Sequence, residues 1–151
     1  MTPEGQGPQR IGWKEYVDFP DWGIRHVRAK VDTGACTSAL DVTECTIQPG
    51  GPTGQQAEFA LVLKRGRTRR NLVAPVVRLT QVRSSNGDSE QRPVVEVSIR
   101  LGPVQTRAQF TLTRRPGMRY RILLGRKALA GLFVVDVSRH DLLRRPNQDR
   151  V

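Results

Sequence analysis

One carboxylate in this chain sits where it could do chemistry. Asp32 ends an alternating stretch and opens the turn in "AKVDTGACTSAL", residues 29–40. An isolated Asp before Thr-Gly commonly caps a turn through its own side chain. The other chemistry open to it needs a second carboxylate. Two such groups sharing one proton around a water can hydrolyse a peptide bond, because like charges so close cannot both ionise and one pKa is driven up. One then takes a proton from the water while the other serves the substrate carbonyl, and the two titrate as a pair. The neighbours fit such a loop. Thr33 offers a hydroxyl to lock it, Gly34 allows a turn that a Cβ would obstruct, and Ala35 leaves room for a second loop. Backbone N–H groups of the turn can hold the carboxylate.

Other reaction chemistries find little support. The only cysteines and histidines are Cys36, Cys45, His26 and His140, with no Cys-x-x-Cys or His-x-x-x-His spacing. The cysteines read as reduced thiols packed as small hydrophobes. There is no phosphate-binding P-loop and no His-Glu-x-x-His, so the reading calls for no cofactor and no metal. Charge says more. Lys and Arg number 25 against 14 acids, a net charge of +11, and only four of the 25 are Lys. Such an excess favours an acidic partner: nucleic acid, a phosphorylated surface or an acidic peptide. Aromatic residues are 5% of the chain and none is interleaved in the Arg clusters, which argues against a base-stacking platform.

The elements that must position Asp32 alternate with period two. Val27, Ala29 and Val31 alternate with Arg28 and Lys30; Phe59, Leu61 and Leu63 alternate in "EFALVLK". Val95, Val97, Ile99 and Leu101 share a face, as do Val104, Ala108, Phe110 and Leu112, and "LGPV" (101–104) joins these two strands in a tight hairpin. "RKALAG" (126–131) reads as the one short helix, stopped by Gly131, with "LFVVDV" as a strand after it. Turn-rich stretches fall at 48–55, 64–71 and 84–92. The pattern predicts a mainly β fold, a closed barrel with one short C-terminal helix, over residues 11–143. Residues 1–10 and 144–151 are expected to be disordered. No apolar run reaches the roughly 18–20 residues of a membrane span, and the first residues lack a secretion-signal pattern, so a cytoplasmic location with no membrane contact is expected.

The strand-D-T-G-A turn, with the later "RILLGRKAL", resembles the retropepsins, one-domain aspartic peptidases that act as homodimers. The resemblance implies that Asp32 from each of two subunits is catalytic. It also implies that Leu123, Leu124 and Gly125, followed by Arg126, cross behind the loop of Thr33, Gly34 and Ala35. A single Asp-Thr-Gly in a chain of 151 residues then requires symmetry to supply the partner. "IGWKEYVDFPDWGI", "VRSSNGDSEQRPVV", "FTLTRRPGMRYRILLGRKAL" and "LFVVDV" are, with the Asp32 stretch, similar to a bacterial family of small retropepsin-like proteins. These are often labelled ATP-dependent zinc proteases and are associated with RimK-type glutamate ligases. The residues here support neither zinc nor ATP, and Asp41 stands where the family often has His. Viral-type retropepsins place an acid shortly after D-T-G-A to pair with the Arg of the late element. Cys36 and Thr37 hold that place here, so a dimer would be braced differently. Ser85, Asn86 and Gly87 suggest a flap over the cleft, since Asn-Gly is a strong hairpin signal; a second candidate flap, tipped by Arg65, Gly66 and Arg67, is equally open. The ligase association implies acidic or poly-glutamate-tailed substrates, in keeping with the charge. The rival reading is a non-catalytic basic module on the same barrel, docking on ribosomal RNA or an acidic protein.

Overall fold

Residues 7–63, 68–83, 86–114 and 119–143 are described by the computed structural model. The alternating stretches are strands. In chain order these are β1 (Gln9–Gly12), β2 (Lys14–Phe19), β3 (Ile24–Val31), β4 (Ser38–Asp41), β5 (Thr43–Pro49), β6 (Gln55–Leu63), β7 (Thr68–Arg83), β8 (Ser89–Leu101), β9 (Val104–Thr113), β10 (Ile122–Leu124) and β11 (Phe133–Asp136). A single 3-10 turn, Pro20–Trp22, links β2 to β3, and the helix α1 (Arg126–Leu129) follows β10. The fold is mainly β, as the sequence pattern indicates.

The large sheet runs β2-β3-β10-β4-β9-β8-β7-β6-β5. Asp18 of β2 also pairs with Arg100 of β8, which joins the run from β2 to β8 into a ring. Inside it, Val17, Phe19, Ala29, Leu40, Ile99, Phe110, Leu112, Ile122 and Leu124 are buried. Burying the Val, Leu, Ile and Phe side chains among these contributes about 1.5–3 kcal/mol each. Phe19 stacks on Trp22 and tilts against Phe110, while Trp22 meets Phe59 edge-on, so the 3-10 turn is riveted to the core. A separate parallel pair, β1 with β11, brings the first strand beside the last.

Several boundaries differ from the sequence reading. β1 begins at Gln9, inside the stretch expected to be irregular. β7 starts at Thr68 and β8 at Ser89, so half of each of two turn-rich stretches is strand. The start of β7 pairs with the end of β6 and the start of β8 with the end of β7, and these added strand residues are polar, so no apolar alternation marks them. The helix is shorter than expected. Its last bond runs from the Ala130 N–H to the Arg126 carbonyl, and Gly131 then turns the chain at φ 78°. The two-residue hairpin between Leu101 and Val104 is present, with Gly102 at φ 58°. No described helix is long and apolar enough to cross a membrane.

Candidate active site

Asp32 directly follows β3, which ends between β2 and β10. β10 runs parallel to β3, with Leu124 opposite Val31, and antiparallel to β4, with Leu123 opposite Ala39. The loop between Val31 and Ser38 is therefore held at its two feet by one three-residue apolar strand. The Asp32 N–H donates to the Leu124 carbonyl at 2.9 Å, which fixes the backbone of the carboxylate-bearing residue. Within the loop, the Ala35 N–H closes back on the Asp32 carbonyl at 3.1 Å. The Gly34 N–H donates to Asp32 Oδ1, also at 3.1 Å. Among the described residues this is the only hydrogen bond to the Asp32 carboxylate, and Oδ2 accepts none. Asp32 is half-buried, between the buried Val31 and the exposed Thr33 and Gly34.

The late element crosses under this loop. The Arg126 N–H donates to the Ala35 carbonyl at 2.8 Å, and the Lys127 N–H to the Cys36 carbonyl at 3.0 Å. Gly125 makes the approach feasible: a Cβ there would stand 2.8 Å from the Thr37 carbonyl carbon and 2.9 Å from the Ala35 carbonyl oxygen. Its own N–H donates to Ser38 Oγ at 3.0 Å, in a buried bond. The Arg126 side chain reaches forward to the Thr33 carbonyl at 2.9 Å. Asp32, Thr33, Gly34, Ala35, Leu124, Gly125 and Arg126 are thus brought together. Leu123 lies one residue earlier on β10, opposite Lys30 of β3 and Ala39 of β4.

Some expected roles shift. It is the Thr33 carbonyl, not its hydroxyl, that is bonded among the described residues. Gly34 does not adopt a left-handed backbone; its lack of a side chain matters for space, since a Cβ would sit 3.3 Å from Asp32 Oδ1. Cys36 is exposed rather than packed, while Cys45 is partly buried against the core, and burial pushes the Cys45 thiol above its ordinary range against a smaller opposing pull from Arg92. Asp41 is buried and takes Arg121 Nη1 at 3.1 Å, so it serves the frame of β4 and β10. Of the flap residues, Asn86 and Gly87 lie in the β7–β8 turn, where Asn86 Oδ1 accepts the Asp88 N–H and Gly87 takes φ 89°. Ser85, and Arg65, Gly66 and Arg67, lie outside the described residues.

Two residues of the site escaped the sequence reading. Ser38 is buried on the same side of β4 as Leu40, and that phase was a signal that it faces inward. Arg78 of β7 donates to Thr37 Oγ1 at a long 3.4 Å, bringing a cation to the loop's far end; nothing in its local sequence marked it. A groove of about 350 Å³ lies elsewhere, on β5–β7, and is lined by Glu44, Thr46, Glu58, Val73 and their neighbours, none of which belongs to the Asp32 loop. Among the described residues, no group of three His, Cys, Asp or Glu side chains is placed to hold a metal ion.

A β ring in which an Asp-Thr-Gly loop is footed on an apolar strand ending in Gly is a retropepsin-like arrangement. Residues 10–146 match the family model of the RimB-like proteins, described as retropepsin-like aspartic endopeptidase RimB, and the chain belongs to that family. A "probable alpha-L-glutamate ligase" of Shewanella pealeana is 34% identical over 131 residues, 85% of this chain but 28% of the relative. One of the same description from Desulfotalea psychrophila is 32% identical over 127 residues, 83% of this chain and 27% of the relative. The chain thus spans less than a third of the curated relatives it matches. The crystal structure of a Legionella pneumophila protein of unknown function (DUF785) superimposes with a TM-score of 0.75 at 25% identity, covering 90% of this chain and 98% of that one.

Proposed function

We propose that the protein is an aspartic endopeptidase acting as a homodimer, in which Asp32 from each subunit shares a proton and a water. The observation that carries this reading is the loop geometry. Asp32 is fixed through its backbone on Leu124 and through Oδ1 on the Gly34 N–H, while Oδ2 has no partner among the described residues. A carboxylate so held can act as general base toward a water if a second carboxylate takes the opposite role. These 151 residues hold one Asp-Thr-Gly, and in this reading another copy supplies the second. Val134 of β11 and Val137 just after it are exposed large hydrophobics, and covering them in a dimer would bury apolar surface. The mechanism uses neither zinc nor ATP.

The substrate follows from charge. Arg126, Lys127 and Arg78 stand on or beside the loop in a chain of net charge +11, and such cations favour acidic peptides such as poly-glutamate tails. The ligase descriptions of the longer relatives fit a protein that acts on the products of glutamate ligation, with the ligase as a pathway partner. Free Cys36 and Cys45 suit a reducing, cytoplasmic setting. Asp32→Asn tests the chemistry: cleavage of a poly-glutamate-tailed peptide is lost while dimerisation persists. Cleavage that survives the substitution removes the aspartic mechanism. If binding to ribosomal RNA or an acidic protein persists and no cleavage is found even in the parent protein, the non-catalytic module is the better reading. Cleavage of acidic peptides should also weaken as salt rises.

A further inference from the structure

Glu15 is a wholly buried carboxylate that the catalytic reading does not use. It lies on β2 in phase with Val17 and Phe19, facing inward, and its backbone pairs with Ala29 of β3. Three backbone N–H groups converge on it: Gly12 to Oε2 at 2.7 Å, Leu142 to Oε2 at 2.9 Å and Leu143 to Oε1 at 3.1 Å. An inward carboxylate with three donors on it is strongly committed to its place.

What it ties together leads to the active loop. Gly12 lies so close under the C-terminal segment that a Cβ there would come within 2.3 Å of the Arg139 carbonyl oxygen. The Trp13 N–H donates to that same carbonyl at 2.9 Å, and the Asp141 N–H donates to the Lys14 carbonyl at 3.0 Å. Asp141 also takes both carboxylate contacts of Arg28 on β3, at 3.1 and 3.2 Å. From this corner two arms run to Asp32. The Trp13 carbonyl accepts the Val31 N–H at 2.8 Å, one residue before Asp32. The Trp13 ring meets Tyr120 edge-on, at the entry to the segment that supplies the Leu124 carbonyl on which the Asp32 N–H rests.

We infer that Glu15 is a positioning residue for Asp32: by gathering Gly12, Leu142 and Leu143 it locks the Trp13 corner, which sets the ends of β3 and β10 that carry the loop. The inference rests on the aspartic reading of Asp32. In a symmetric pair an error in either loop moves the two carboxylates relative to each other. Their separation governs both the reaction geometry and how the shared proton is held between them.

The test is Glu15→Gln in the full chain, assayed on a peptide mixture for which cleavage has been shown to vanish in Asp32→Asn. Gln keeps the shape but turns an NH2 toward N–H donors. The expected result is a folded protein whose kcat falls about ten- to a hundredfold with KM little changed. The acid limb of its pH–rate profile should move as well. A purely structural role would lower the folded fraction and leave that limb in place. Should Glu15→Gln fail to fold, Leu143→Ala loosens the same segment, since Leu143 packs against the core beside Gly102. The same fall in kcat is expected there. A folded variant with parental kcat and pH profile overturns the inference. Absence of any Asp32-dependent cleavage in the parent protein instead overturns the aspartic reading, and the inference with it.

Discussion

Glu15 lies on β2 and Asp32 directly follows the neighbouring β3; they carry the same functional group, yet their surroundings are opposite. Glu15 is wholly buried and accepts three backbone N–H groups. Asp32 is half-buried and accepts one, with Oδ2 unengaged among the described residues. A carboxylate offers about four acceptor positions. Filling most of them inside the protein makes the group a fastening; leaving most of them open beside solvent makes it available to a water, a substrate or a second carboxylate. Residue type alone does not separate the two roles, but the count of donors does.

Substitutions can break this contrast from both sides. The largest effect belongs to Asp32→Asn, which should lower cleavage by about a thousandfold or more while shifting the melting temperature little. A thermal melt beside a peptide assay checks both halves. Glu15→Ala is the mirror image. It leaves three donors without an acceptor in a buried site and should cost about 3–5 kcal/mol in urea unfolding. A loss below about 1 kcal/mol would mean that the donors find water and that the fastening is weak. Val134→Asp addresses the incompleteness of Asp32. Weakening self-association by about 1.4 kcal/mol should raise tenfold the protein concentration needed for half-maximal specific activity, and activity independent of concentration would argue against a shared site. Ser38→Ala removes the buried acceptor of the Gly125 N–H and should cost about 1–2 kcal/mol with a matching loosening of the loop. The smallest effect is chemical. Cys36, exposed in the loop, should be alkylated before Cys45, whose thiol burial pushes up, so that labelling of Cys45 gains most as the pH rises. Mass spectrometry of partially labelled protein reads the order.

The Asp32 loop was legible in the sequence through its resemblance to the retropepsins, which paired the Asp-Thr-Gly turn with the later Leu123, Leu124 and Gly125; the turn standing alone would have read as an ordinary cap. The strands around it were legible where one face is apolar, as in β8 and β9. They were not legible in the polar ends of β7 and β8, where polar side chains carry no phase. Glu15 was hidden for a different reason. In "KEYVDF" a Glu reads as a solvent residue, although it falls in step with Val17 and Phe19. Its donors come from Leu142 and Leu143, far along the chain, and no local pattern announces them. Arg78 belongs with it, since its partner lies across the fold.

The placement of β10 between β3 and β4 also has a consequence for timing. The two strands flanking the Asp32 loop are made early, yet they do not pair with each other and are linked in the sheet only through Ile122–Leu124 between them. Such a long-range insertion closes late in folding, because the entropy of a large loop must be overcome first. A ribosome-bound chain that lacks these residues has no Leu124 carbonyl on which to set Asp32. The order of synthesis therefore leaves Asp32 without this backbone anchor until Leu124 has been made.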